Sequence, residues 1–414
     1  MIGSSVRSIV VLAVLLVCGD ILPNPAHAQL AVTGDVVHTM AGPPISSGVV
    51  LIRGGKIAAV GPASGVSIPD DFKVIHGAVV TPGLIDAHSV VGLAGIYNVD
   101  HDQDQLESST PVQPQLRAID AYNASEALIS HIRGYGVTAI HTGHAPGELV
   151  SGQTFIVKTI GSTVDEALVM PATALAVTLS SAELKSGGKS PGTRGKSVAM
   201  LRQEFIRARE YQREVEAADR DPKANRPDRD LKLESLARAL SGELAVLVTA
   251  ERSQDILSAL RIADEFSLKL WLDSASEAYL VADQIAEAGV PVIVHPTMAR
   301  AVGQRENLSF ENAARLKHAG VRIALQSGFE PYVPKTRVVL FEAGMAAANG
   351  LNFDEALATV TRDAAAILGV ADRMGSLQTA LDADIAIFDG DPFEYTTHCT
   401  GVIINGQIVS SDSN

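Results

Sequence analysis

In the middle of the chain, short apolar runs alternate with longer stretches of helical spacing. Gly136–His141, Leu244–Thr249, Leu268–Leu272, Val290–His295 and Val321–Leu325 are the clearest runs. Each reads as a strand buried on both faces. Between them, Ser253–Phe266 and Ala278–Ala288 carry helical patterns, and Phe353–Leu368 closes the series as a helical segment. Strands that alternate with helices predict a parallel sheet with crossover connections. The region 195–240 stands apart. Ser197–Ala217 is charged and helical, and Asp219–Asp230 is a polar loop containing Pro222 and Pro227. It reads as an insertion on the rim of the main domain.

The two ends have a different texture. Val32–His38 alternates weakly and reads as a strand, and Gly48–Gly61 is a hairpin whose apolar arms flank Gly54-Gly55. Two adjacent glycines accept the positive φ that a tight hairpin turn demands. The C-terminus mirrors this, with a strand at Ala383–Gly390 and a hairpin at Gly401–Val409 around Asn405-Gly406. Neither end has enough strands to bury a core alone. They are expected to pair into one small β-sandwich.

Composition adds limits. The chain has 414 residues and 46% hydrophobic content, enough for one large domain with a small companion. A net charge of −14 argues against nucleic acid, since nothing basic is concentrated enough to neutralise phosphates. The first residues have the form of a secretory signal. Arg7 supplies the positive region, Ile9–Cys18 is apolar but too short to span a membrane, and Ala26-His27-Ala28 is a small-x-small cleavage site before Gln29. Cys18 follows bulky Val17, where a lipoprotein signal wants a small residue. The expectation is a periplasmic or secreted protein, with no membrane segment after cleavage. The mature chain then keeps only Cys399, so no internal disulfide forms.

The chemistry centres on Thr81-Pro82-Gly83-Leu84-Ile85-Asp86-Ala87-His88. This run resembles the approach to the first barrel strand of the amidohydrolase superfamily, in its imidazolonepropionase-like branch. The resemblance implies a distorted (β/α)8 TIM barrel, about 82–371, interrupted by the 195–240 insertion. It also implies a β-sandwich built from 29–81 and 372–414, with 1–28 removed as the signal. In active members, two histidines of the first strand, one each from the fifth and sixth, and an aspartate from the eighth hold divalent metal, in some members with a carboxylated lysine. Imidazole and carboxylate suit zinc. The metal lowers the pKa of bound water to roughly 7, and the aspartate carries its proton to the leaving nitrogen.

Carried over by position, the resemblance keeps His88 but puts Val90 where the second histidine belongs. Val248-Thr249-Ala250, ahead of Asp255-Ile256-Leu257, puts Thr249 at the fifth-strand ligand. Leu272-Asp273-Ser274 puts Ser274 at the sixth, with Asp273 the neighbouring ligand group. Ala324-Leu325-Gln326-Ser327-Gly328 puts Gly328 at the aspartate, with Glu330 further on. Val90, Thr249, Ser274 and Gly328 are thus lost ligand positions, and one imidazole does not hold zinc against water. A replacement mononuclear site on His88, His141, His144 and His295 is the alternative, against the plainer reading of polar residues lining an old pocket. Gly152, Gln153, Lys158 and His101 are candidates for ligand contact. Neither a nucleophile elbow around Ser89 or Ser274 nor a dinucleotide or phosphate fingerprint is present.

Three roles follow. The first is a pseudoenzyme that binds a small amide or peptide-like molecule, or supports an active amidohydrolase paralogue as a subunit. The second is a hydrolase of non-peptide C–N bonds with a rebuilt site, holding one divalent metal, zinc before others, where the first role needs no cofactor. The third is a structural periplasmic scaffold.

Overall fold

The computed structural model describes residues 29–97, 99–221, 223–295, 300–329 and 338–411. The signal-like segment and Glu330 lie outside them. Strands are numbered in chain order. The N-terminal part gives β1 (Leu30–Val37), β2 (Ile45–Arg53), β3 (Lys56–Pro62) and β4 (Lys73–Pro82). The central part gives β5 (Leu84–Ser89), β6 (Val137–Thr142), β7 (Val150–Gln153), β8 (Phe155–Lys158), β9 (Leu168–Met170), β10 (Ala174–Thr178), β11 (Ala245–Thr249), β12 (Leu270–Ser274), β13 (Val292–Val294) and β14 (Ile323–Leu325). The C-terminal part gives β15 (Ile385–Phe388), β16 (Cys399–Ile404) and β17 (Gln407–Ser411).

The two ends of the chain do meet. β4 and β15 pair antiparallel, joining them. The result is one continuous seven-stranded sheet, β17-β16-β15-β4-β1-β2-β3, where two stacked sheets were expected. The sheet curls on itself around Leu30, Val50, Ile52, Ile57, Ile385 and Ile403. Its two hairpin tips touch, so that a Cβ on Gly406 would come within 2.9 Å of Gly55 Cα. One curled sheet buries the same apolar face that two sheets would.

The central part is a TIM-barrel-type α/β fold. β10, β11, β12, β13 and β14 are parallel neighbours in one sheet, with β7 antiparallel at its edge. β5 and β6 are parallel in a second sheet, which continues antiparallel through β8 and β9. Between the sheets, a bridge pairs Ser89 with Gly328, and Gly328 N–H donates to the His88 carbonyl at 3.2 Å.

Several helices differ from expectation. Ser253–Phe266 forms as read, while Ala278–Ala288 begins as a 3-10 turn, Ala278–Leu280, before the helix Ala282–Ala288. Phe353–Leu368 divides into Phe353–Thr359 and Arg362–Leu368. The break follows from β5, because Ile85 N–H donates to the Val360 carbonyl at 2.7 Å. The 195–240 region is the β10–β11 connection itself. Its helix Arg194–Arg220 sends Leu201, Phe205 and Ala208 into the core, and Leu231–Leu240 adds Leu236 and Ala239. Beyond Ala208 the long helix buries nothing, and only that part is rim. Among the described residues, no helix is long and apolar enough to cross a membrane.

The barrel interior fills from the bottom. Ile85, Ala139, Ala245, Leu247, Trp271, Ile293 and Ala324 form an apolar floor, closed from below by Ala364, Ala365 and Leu368. Every second residue along these strands faces inward. On the other strands the next inward layer is the polar one at the strand ends, where such barrels place their chemistry, and on β5 the register slips between Asp86 and Ser89, so that His88 joins it.

Candidate functional site

The polar layer consists of His88, His141, Thr249, Asp273, His295 and Gln326. All are buried. Above it opens a cavity of about 450 Å³. His88, Val90, Thr249, Asp273, His295, Gln326 and Gly328 line its base, and Glu251, Arg300 and Arg305 its upper wall. Val90, Thr249 and Gly328, three of the positions the resemblance assigns to ligands, thus surround one space with His88.

Ser274 does not join them. Thr249 and Asp273 are register partners on parallel strands, so both face inward. A shift of one residue moves a side chain to the other face. Ser274 points away, has φ of 70°, and donates from Oγ to Glu251 Oε1 at 2.8 Å. The sixth-strand group in the cavity is Asp273. The apolar alternation of Trp271 with Asp273 and of Leu247 with Thr249 carried this signal.

Asp273 organises the layer. Its Oδ1 accepts from His88 Nδ1 at 2.9 Å and from Gln326 Nε2 at 2.7 Å, and its Oδ2 accepts from Thr249 Oγ1 at 2.6 Å. Burial opposes its charge, but His88 and these two other donors outweigh burial and hold its pKa below the usual carboxylate value. For His88, burial disfavours the imidazolium, yet Asp273 and then Asp86 raise the pKa above 6.5. Asp86 is pushed up to about 6 by burial, against hydrogen bonds from the Ser327 N–H and hydroxyl and from His88 N–H.

The other histidines are placed differently. His141 Nδ1 donates to the Ala87 carbonyl at 2.7 Å, and Nε2 accepts from Thr154 Oγ1 at 2.6 Å. Its ring packs edge-on against Trp271, and burial, helped by His88, lowers its pKa to about 3. His144 lies behind the cavity, against Gly152, whose Cβ would come within 2.4 Å of Nε2. Burial holds it neutral, down to about 4. His295 reaches the cavity, but its ring covers Gly328, where a Cβ would lie 1.9 Å from Nε2. The four histidines expected to hold a metal are therefore not gathered on one point. Among the described residues, no group of three or more His, Cys, Asp or Glu is placed to hold an ion. His141 has both nitrogens bonded, Asp273 already accepts three hydrogen bonds, and Gly328 offers no donor. This donor set does not fit a divalent metal.

The expected ligand contacts also lie elsewhere. Lys158 is at the opposite end of the barrel, buried against Asp382 and Asp384, each at 2.8 Å, and bonded to Asn405. The short strand carrying it is antiparallel to β6, so its end points away from the cavity. Gln153 donates to Pro114 O and Ser235 Oγ and accepts from Arg238, which anchors the helix Leu231–Leu240. Gly152 makes room for His144. His101 is exposed in the turn Asp100–Asp102, away from the cavity lining. Glu251 and Arg305 were not anticipated. Arg305 Nε donates to Glu251 Oε1 at 2.8 Å, and Ser276 holds the other oxygen. Nothing in the sequence brings residues 251 and 305 together, because a loop joins them only in the fold.

Comparison with known proteins agrees with this architecture. Residues 230–410 match the amidohydrolase family. The crystal structure of an amidohydrolase from Thermotoga maritima MSB8 superposes with a TM-score of 0.86, at 27% identity, covering 92% of this chain and all of that one. The imidazolonepropionase of Rhizobium meliloti (strain 1021) is 26% identical over 90% of this chain and 93% of its own length. The amidohydrolase tasK of Hapsidospora irregularis is 26% identical over 88% of this chain, which spans only 40% of that protein.

Proposed function

This chain belongs to the amidohydrolase superfamily, in its imidazolonepropionase-like branch, and on that premise we propose that it is an exported family member whose cavity takes a small amide or peptide-like ligand without generating the metal-bound hydroxide of that family. Export rests on the leader-like segment Arg7 to Ala28. The family is one of hydrolases, and the ligand class follows from it. Loss of the metal step rests on one observation. The space an eighth-strand carboxylate needs is filled by the His295 ring, 1.9 Å from where a Cβ on Gly328 would stand. The chemistry of the remaining donors agrees, since three of the acceptor sites of the Asp273 carboxylate are already taken by hydrogen bonds.

The test is elemental analysis of the mature protein after dialysis against a weak chelator, followed by calorimetric titration with cyclic amides and N-acetylated dipeptides. Saturable binding to metal-free protein is the expected outcome. Zinc, manganese or iron retained at one per chain, with turnover that follows the metal, would replace this reading with a rebuilt mononuclear site.

A further inference from the structure

We propose that Arg305, held in place by Glu251, is a carboxylate-binding subsite of the cavity, so that the ligand is an acyl compound carrying a free carboxylate. The proposal rests on the function proposed above and names the ligand class within it. Three observations carry it. Glu251 is buried and fixed through both oxygens. Ser274 Oγ donates to its Oε1 at 2.8 Å, and Ser276 donates to its Oε2 from Oγ and, at 3.4 Å, from N–H. Arg305 lines the cavity and donates from Nε to the same Oε1 at 2.8 Å. Among the described residues, Nε is the only nitrogen of the Arg305 side chain with a protein partner. The edge formed by its two terminal amino groups is left for a ligand.

That edge fits a carboxylate. A guanidinium is planar and permanently charged, and two parallel N–H groups match the two oxygens of a carboxylate. The loop that carries it is pinned on either side of the cavity. Gln304 Oε1 accepts from Ser181 N–H at 2.6 Å, and the Gly303 carbonyl accepts from Arg252 at 3.2 Å. A side chain fixed before the ligand arrives loses less freedom on binding it. Among the described residues, the carboxylates lining the cavity are Glu251 and Asp273, and both are engaged, Asp273 by His88, Thr249 and Gln326. Val90, Pro146, Ala182 and Phe329 also line the space and suit the hydrocarbon part of an acyl compound. Ser274, which strand register turns away from the cavity, has a task in this arrangement, because it holds the carboxylate that holds the arginine. Arg305 is the binding residue and Glu251 a positioning residue.

The experiment is calorimetric titration of the mature protein, after dialysis against a weak chelator, with N-acetyl-alanyl-alanine and with its C-terminal amide. The amide replaces the carboxylate by a neutral group of nearly the same size. The wild type is expected to bind the acid about tenfold tighter or more, the scale of a charge-assisted hydrogen bond. Arg305→Gln should bring the ratio of the two affinities to about one, and Arg305→Lys, which keeps the charge without the planar fork, should leave it in between. Glu251→Ala should lower the same ratio, which a purely structural role would leave where it was. Should a variant fail to fold, the wild-type ratio decides the matter alone. Equal binding of acid and amide by the wild type would overturn this proposal and leave the binding reading intact, as would a preference for the acid that survives in Arg305→Gln. Binding of neither compound, nor of cyclic amides, would overturn both.

Discussion

The two ends of the barrel each bury carboxylates beside a cationic side chain, and they do different things with them. At the closed end, Lys158 sits between Asp382 and Asp384, and Lys56 and Arg373 also reach Asp382. That cluster ties β8 to the segment that leads into β15. At the open end, Asp273 gathers His88, Thr249 and Gln326 beside a cavity. A charge cluster that crosses between two parts of the fold is a clamp. One that lines a cavity can meet a ligand. Burial and charge are alike at both ends, so neither marks a functional site by itself. The adjoining cavity does.

The comparison can be broken most forcefully at the clamp. Lys158→Met leaves buried carboxylates without their central cation, and loss of one partner of a buried pair costs about 3–5 kcal/mol. Urea denaturation should show that loss, while ligand binding by the folded fraction stays at the wild-type level. A small effect would mean that Lys56 and Arg373 hold Asp382 without help.

Acid separates the two ends next. His144 has its pKa lowered to about 4 by burial, so the unfolded chain binds its proton first. Its contribution is complete above the ordinary value of 6.5 and is lost as the pH falls toward 4. Asp382, held down to about 2 by Lys158 and Lys56 against burial, contributes above 3.8 and loses that only as the pH falls toward 2. The stability difference between wild type and His144→Leu should therefore change by about 3 kcal/mol below pH 6.5 and be flat above it. Denaturant midpoints taken across that range check both sign and window.

Gly328→Ala is the milder probe of the open end. The new methyl group meets His295, and the backbone there has φ of +67°. Overpacking and strain together should cost about 1–3 kcal/mol, read as a lowered Tm. Gly328→Asp should not create zinc binding, for the same steric reason. The smallest effect is expected at the rim, where Arg229 pairs with Glu234 in solvent. Arg229→Ala should move stability by less than about 1 kcal/mol, in a denaturation experiment that serves as the baseline for the others.

Much of the fold was legible along the chain because local rules wrote it there. The Gly54-Gly55 and Asn405-Gly406 turns form as read, since their four φ values are positive. Ser253–Phe266 begins and ends where its pattern does. The parallel strands β11, β13 and β14 fall inside their apolar runs, and β12 starts inside its run and extends two residues past it, to Ser274. The antiparallel detour through β7, β8 and β9 was not legible. Those strands are four, four and three residues long, too short for periodicity to give a direction.

The candidate site divides the same way. The family resemblance placed Val90, Thr249 and Gly328 at ligand positions as an expectation read from sequence, since a side chain without a donor can be recognised from its identity. The facing of Asp273 rather than Ser274 was a matter of strand register, which a shift of one position reverses. Whether four histidines form one site depends on distances between strands far apart in sequence. In the fold, His141 is bonded to Ala87 and Thr154, His144 lies against Gly152, and His295 covers Gly328. Sequence determines which atoms exist and which local turns and helices they favour, because those depend on near neighbours. Only the tertiary arrangement of the strands decided which side chains meet at the cavity, because those contacts join residues far apart in sequence.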